Sequence, residues 1–253
     1  MMGVFTDQQL REVFHLLFLE NLLRASGSGQ FILKGGVNLR FFFKSPRYSE
    51  DMDLDVTGAS VGTLKKNCYK ILASPAFRRS LAVYGIKDLI INDPEKAKQT
   101  TTTQRFRLRL VNKNGEIFPT KVEFSRRSGS DQFVDEELDP SVSGLYSRLS
   151  FRCLHYAGKF AVLQKIKALA GRAEVQARDV FDLYILFLGN NFDKNSWNLS
   201  GEILGKAQDS ALSITYEQYR DQVEMYLNPE GLKFYGGRKN WDKIQNLIVD
   251  QIK

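Results

Sequence analysis

The chain has 253 residues, a formal net charge of +7 and a pI near 9.3, with 43% hydrophobic and 26% charged residues. Those proportions are ordinary for globular chains, so a packed core in one large or two modest domains is expected. No run of 18 apolar residues occurs, which excludes a membrane-spanning helix, and Cys68 and Cys153 form no CxxC or Cys/His cluster, which argues against zinc sites and a disulfide framework. The first residues, MMGVFTDQQLREVF, contain acids and lack a basic-then-apolar order, so they do not read as a secretory signal. The expected compartment is the cytoplasm. The positive charge favours a polyanionic partner.

A helix is predicted over residues 7 to 25, where Leu10, Val13, Phe14, Leu17 and Leu22 share a helical period after a Thr6/Asp7 start signal. Ser26-Gly27-Ser28-Gly29 ends it. Residues 31 to 33 form a short apolar strand, and Gly35-Gly36 opens a second helix reaching about Phe43. Ser45-Pro46 breaks that helix, and residues 51 to 56, DMDLDV, alternate as a strand. Residues 61 to 73 and 75 to 84 read as helices, and 89 to 91 as a short strand. Residues 101 to 111 alternate strictly, Asn112-Lys113-Asn114-Gly115 is a hairpin signal, and 117 to 125 is the return strand. Residues 128 to 144, rich in Ser, Gly and acids, read as a loop, and 151 to 156 as one more strand. From Gly158 the period is helical. Phe160, Leu163, Ile166 and Leu169 form one stripe; Val180, Leu183, Tyr184 and Phe187 form another, ended by Gly189-Asn190-Asn191. Further helices are predicted near 200–210, 215–227 and 240–252. The expected fold is α+β: an α/β domain over residues 1–156, with a short mixed β-sheet flanked by helices, followed by a helical C-terminal domain over 157–253.

The chemistry concentrates in residues 31 to 56. Successive strand side chains point to opposite faces, so Asp51, Asp53 and Asp55 share one face, and Met52, Leu54 and Val56 the other. Three crowded acids repel one another unless a cation sits among them, and hard oxygen ligands at this spacing suit Mg²⁺. An exposed edge strand with a solvated acidic face fits the alternation equally well. Upstream, a strand, the Gly35-Gly36 turn and a helix N-terminus make an anion site, because free backbone N–H groups and the helix dipole point at the ligand. A phosphate cradle followed by metal carboxylates is what nucleoside triphosphate chemistry needs. No GxxxxGK[ST] run is present, so this is not a P-loop.

Three blocks, KGGVNLR, RYSEDMDLD and QKIKALAGRAEVQARDVFDLY, resemble in order the AbiEii/AbiGii family of toxin nucleotidyltransferases, within the DNA polymerase β-like superfamily. The resemblance spans roughly residues 30 to 190. It implies that Gly35 and Gly36 bind phosphate, that Asp51 and Asp53 bind the metal, and that Arg47 and Ser49 position the acidic strand or the phosphates. It further implies that Lys165 contacts the triphosphate, that Asp179 of the Arg178-Asp179 pair is an essential acid, followed by Asp182, and that Glu123 is the third metal carboxylate. The helical domain would then complete the active site. The implied activity is Mg²⁺-dependent transfer of a nucleoside monophosphate from an NTP to RNA, the tRNA 3′ end in particular, with an antitoxin protein as partner in a toxin–antitoxin or abortive-infection system.

Other assignments remain open on the residues alone. The acceptor could be a protein hydroxyl, or the chain a non-catalytic nucleic-acid-binding module. Lys165 also fits a snorkelling surface lysine, Asp179 a structural partner of Arg172 or Arg178, and Glu123 a cross-strand partner of an arginine. Arg105, Arg107 and Arg109 share one strand face, which suits either an RNA-backbone stripe or a charged edge strand that resists aggregation. His15 and His155, without acids or cysteines at ligand spacing, read as structural.

Overall fold

The computed structural model describes residues 5–92, 100–126, 133–189 and 197–252. The chain divides into two compact units, Met1–Phe42 with Tyr48–Tyr156, and Phe43–Arg47 with Ala157–Lys253.

In the first unit, α1 (Asp7–Ser26) starts at a reciprocal capping box between Thr6 and Gln9 and ends at Gly27, where φ is 87°. Then come β1 (Phe31–Lys34), α2 (Gly35–Phe42), β2 (Asp51–Val56), α3 (Val61–Ala73), α4 (Pro75–Tyr84), β3 (Ile86–Ile91), β4 (Thr103–Asn112) and β5 (Ile117–Ser125). The unit closes with β6 (Phe133–Glu137), α5 (Pro140–Leu145) and β7 (Arg152–Tyr156). The strands build one seven-stranded mixed sheet in the order β3-β4-β5-β2-β1-β7-β6. β2 runs antiparallel to β1 and parallel to β5, and β1 is parallel to β7. The remaining neighbours are antiparallel. The predicted loop over 128–144 holds β6 and α5 instead; residues 127–132 lie outside the described residues. β6 is the last strand of the sheet and is mostly exposed, so FVDEE lacks the apolar alternation that marks a half-buried strand. The predicted hairpin is present, with Gly115 at φ 83°.

One sheet face carries Met52, Leu54, Phe106, Leu108, Val122 and Phe124, all buried in one core with Phe14 and Phe18 of α1, Leu64 and Leu72 of α3, and Phe77 and Leu81 of α4. A buried ion pair joins α1 to α2. Arg40 Nε lies 3.0 Å from Glu12 Oε1, and the guanidinium rests 4.7 Å from the Tyr48 ring centroid. That pair sets where α2 begins relative to the sheet, because α2 is only two turns long. Cys68 and Cys153 are free and buried. Among the described residues no helix is long and apolar enough to cross a membrane.

The second unit contains α6 (Gly158–Gly171), α7 (Ala177–Leu188), α8 (Gly201–Ser213), α9 (Tyr216–Gln222), α10 (Pro229–Tyr235) and α11 (Arg238–Ile252). Its core holds Val162, Ile166, Leu169, Val180, Leu183, Tyr219, Trp241 and Ile248, with the Tyr219 and Trp241 rings stacked at 4.7 Å. On α6, Phe160 and Leu163 are only half-buried, and Ala161 and Val162 take the inner positions. Residues 43–47 join this unit through a bridge between Arg47 and Leu227 and a hydrogen bond from Asn228 N to Pro46 O.

Removing one partner of a buried ion pair strands the other charge. Arg40→Ala should therefore cost about 3–5 kcal/mol of stability, and Glu12→Leu/Arg40→Met should recover most of it. Urea unfolding measures both; a double variant no better than Arg40→Ala would contradict the stranded-charge account.

Candidate active site

The acidic strand β2 is the middle strand of seven, so its alternation does not mark an exposed edge. Its register sets out a row of charges on the face turned away from α1, α3 and α4. Lys34 of β1 stands opposite Asp53, Asp53 opposite Glu123 of β5, and Glu123 opposite Arg105 of β4. In the next row Asp51 stands opposite Lys121, and Lys121 opposite Arg107. Neighbours within these rows pair off. Arg105 Nε lies 2.6 Å from Glu123 Oε2, and Lys121 Nζ 3.0 Å from Asp51 Oδ2. Glu123 thus has the cross-strand arginine that its position suggested.

Asp53 differs. It has no ion-pair partner within 4 Å among the described residues. Burial pushes its carboxyl above the usual range, against the more distant pull of Lys121 and Lys34, while Asp51 and Glu123 add to the rise.

Gly35 explains what stands beside it. Its φ is +69°, a conformation that L side chains rarely adopt, and a Cβ there would lie 2.9 Å from Asp53 Oδ2. The backbone that opens α2 therefore lies directly against the carboxylate, and Gly36 follows in the same first turn. The first N–H groups of a helix have no intrahelical partner and attract anions. The Gly35-Gly36 turn and the acidic strand that the sequence singled out meet at one point.

The remaining residues of this stretch hold that point in place. Asp55 is buried: its Oδ2 accepts a 2.6 Å hydrogen bond from the Tyr156 hydroxyl, and its Oδ1 pairs with Lys34. Both oxygens are engaged, so the third aspartate of the run fixes Lys34 rather than extending a ligand set. Ser49 Oγ donates to the Asp51 carbonyl at 2.8 Å, which fixes the start of β2.

Among the described residues no three acids, imidazoles or thiols gather into a metal cage. Asp51, Asp53 and Glu123 share the face, but Lys121 and Arg105 occupy two of them. Mg²⁺ needs only one or two carboxylates and takes its other ligands from water and phosphates, so this all-oxygen donor set fits it. His15 and His155 are both buried, and His155 Nε2 lies 3.4 Å from Glu136 Oε2. His15 is buried against Thr120 Oγ1 at 2.9 Å, and burial lowers it to about 3. His155 stacks on Phe42 at 3.6 Å.

A cleft of about 780 Å³ opens beside Asp51, lined among others by Glu50, Arg107, Arg109, Pro119 and Lys121. β4 lies between β3 and β5, so the arginine stripe does not guard an edge.

The second unit gathers the other residues that the resemblance singled out. Arg47 grips Asp182 with the Nε–Nη2 edge of its guanidinium, at 2.9 and 3.0 Å from Nη2 and 3.2 Å from Nε, and both residues are buried. Arg47 is thus engaged by a carboxylate of α7 and presents no free fork to a phosphate. Lys165 Nζ lies 2.8 Å from Asp179 Oδ1 and 2.6 Å from Asp182 Oδ2. At 13% exposure it is not a snorkelling surface lysine. Arg172 Nε lies 2.9 Å from Asp179 Oδ2, outside directed hydrogen-bond geometry. Burial alone would raise Asp182; Arg47 and Lys165 outweigh it and hold the carboxyl below its ordinary value. Burial alone would lower Lys165; Asp179 and Asp182 raise it instead and keep the ammonium charged. Asp179 and Asp182 sit one helical turn apart on α7, which lets one lysine reach both.

For an acid whose folded-state pKa lies above its unfolded value, the native state holds the extra proton. Stability then falls as pH rises from the ordinary aspartate range through the raised value. Asp53→Asn should therefore raise the melting temperature at neutral pH, and the gain should vanish below the ordinary aspartate range. Thermal scans across pH measure this; a variant melting at or below wild type at neutral pH would contradict the burial cost assigned to the charged Asp53.

The chain resembles known proteins along nearly its whole length. The family model for the nucleotidyl transferase AbiEii toxin of type IV toxin–antitoxin systems matches residues 17–246. Among solved structures, MenT4, the nucleotidyltransferase toxin Rv2826c from Mycobacterium tuberculosis H37Rv, matches with a TM-score of 0.62 at 15% identity, covering 96% of this chain and 82% of that one. JHP933 from Helicobacter pylori matches with a TM-score of 0.54 at 18% identity, covering 98% and 94%. These two similarities concern the fold. No curated protein matches the sequence significantly. With the Gly35-Gly36 turn, the central acidic strand and a family match over most of its length, the chain belongs to the AbiEii family of nucleotidyltransferase toxins.

Proposed function

We propose that this nucleotidyltransferase moves a nucleoside monophosphate from an NTP to the 3′ end of a tRNA, in the cytoplasm. The observation that carries the site is the approach of Asp53 to the Gly35 turn, where a Cβ would lie 2.9 Å from its Oδ2. A triphosphate held by Gly35, Gly36 and the α2 N-terminus would lie against that carboxylate. Asp51 and Asp53, with Glu123, would hold Mg²⁺, which when bound neutralises phosphate charge and favours ionisation of the attacking hydroxyl. Lys121 and Arg105, which pair with two of these acids, would yield their places to it.

In the transfer, the acceptor hydroxyl oxygen forms a bond to the α-phosphorus while the bond from that phosphorus to the oxygen bridging to the β-phosphate breaks. The hydroxyl proton passes to a carboxylate of the same face, and pyrophosphate leaves. Ser49 and Asp55 keep β2 and Lys34 in register. Lys165 takes the triphosphate-binding role, and Asp179 the essential-acid role, on the strength of family membership; Asp179 and Asp182 hold the Lys165 ammonium in place for it. Arg47, tied to Asp182, acts as a positioning residue.

The net charge of +7 and the arginine-lined cleft support a polyanionic acceptor. A blocked tRNA 3′ end cannot be aminoacylated, which accounts for toxicity and for the antitoxin that the family implies.

Purified protein incubated with Mg²⁺, total tRNA and each α-labelled NTP in turn tests this, beside Asp51→Ala/Asp53→Ala. Label on RNA that the double variant fails to place is expected. Label on protein instead would transfer the reading to a side-chain hydroxyl, and no label on either would overturn both.

A further inference from the structure

An in-line displacement puts the attacking and leaving oxygens on opposite sides of the transferred phosphorus. The strand order then separates donor from acceptor. Gly35 and α2 follow β1, on one side of β2, whereas β5, β4 and β3 lie on the other. If the triphosphate occupies the β1 side, the acceptor enters from the β4 side, where the cleft beside Asp51 lies.

The side chains there match an RNA strand. Arg107 and Arg109 are exposed on the same face of β4, two residues apart. That spacing is about 6.8 Å along a strand. Neither side chain has a hydrogen-bond or ion-pair partner among the described residues, whereas the side chains of Arg105 and Lys121 are committed to Glu123 and Asp51. Two uncommitted cations on an interior strand serve no edge-protecting purpose. They leave unpaired positive charge beside the acids of the candidate centre, and Pro119 and Ile91 give the cleft an apolar wall against which a base can rest. Its volume of about 780 Å³ suits one nucleotide with its flanking phosphate.

We propose that Arg107 and Arg109 form the acceptor subsite, binding the phosphodiester backbone of the RNA next to its reacting 3′ end, an assignment that rests on RNA being the acceptor.

The test is transfer and binding with total tRNA over a range of salt, for wild type, Arg107→Gln/Arg109→Gln and Arg107→Lys/Arg109→Lys. In the glutamine variant tRNA affinity should fall about tenfold or more at low salt. The slope of log affinity against log salt should shrink by roughly 1.4 to 1.8 for two lost phosphate contacts, with the KM for NTP unchanged. The lysine variant should keep the salt slope. Raised KM for NTP with unchanged tRNA affinity would make the cleft a donor site and overturn the inference. Wild-type values for both in the glutamine variant, beside wild-type labelling of RNA, would leave the acceptor class standing and remove the subsite. Failure of wild type to label RNA at all would instead remove the acceptor class, and the subsite with it.

Discussion

Where β1 turns into α2, a carboxylate crowds the space that a side chain would need. Gly35 takes a positive φ there, and a Cβ on it would lie 2.9 Å from Oδ2 of Asp53 on the neighbouring strand. The surrounding structure keeps that contact: the Glu12–Arg40 pair seats α2, Ser49 fixes the first residue of β2, and Asp55 with Tyr156 anchors the lysine just before the glycines. A helix N-terminus stabilises a nearby anion by about 0.3–1 kcal/mol at an exposed position, and more where partly buried. Burial, with Asp51 and Glu123 beside it, holds the Asp53 carboxyl above its ordinary range against Lys121 and Lys34. The candidate site thus centres on an acid with no ion-pair partner within 4 Å among the described residues, a feature that stability alone would not select.

The other charges form a graded series. Asp51 and Glu123 are half-exposed and paired with single cations; Asp55 is buried with both oxygens engaged; Asp179 and Asp182 are buried in a cluster with Arg47, Lys165 and Arg172. Exposed pairs exchange partners cheaply, because water competes with each contact. Buried ones do not, because breaking them strands a charge. The half-exposed pairs are therefore the ones that an incoming ligand would displace at low cost, and the buried clusters hold their side chains in position.

Much of this was legible in the sequence because it is local. The strand, Gly-Gly turn, helix and alternating aspartates are consecutive, and periodicity places them without tertiary information. The Asn112–Gly115 hairpin and most helices are local in the same sense. What escaped depended on partners distant in the chain. Asp55 looked like its neighbours until Tyr156 and Lys34 were beside it. Whether β2 and β4 were edges followed from strand order, which pairs β2 with β5 across two helices and a hairpin. On its spacing alone Lys165 read more readily as a surface lysine, because its two acids lie on another helix. β6 was missed because a mostly exposed terminal strand has no apolar face to alternate. The site residues of α6 and α7 came from family resemblance alone; nothing in their spacing distinguishes them from an ordinary helix with ion pairs.

The central claim is that Gly35 and Asp53 make one site for triphosphate and metal, so the two ligands should help each other bind. Binding of a non-hydrolysable NTP analogue, measured calorimetrically with and without Mg²⁺ in wild type and Gly35→Ala, tests this most directly. By linkage, Mg²⁺ should tighten analogue binding to wild type, with the reciprocal effect of the analogue on Mg²⁺. In Gly35→Ala, where a methyl displaces Asp53, both the affinity and the coupling should be lost while the fold persists. Analogue binding to the alanine variant with wild-type affinity and undiminished coupling to Mg²⁺ would contradict the account.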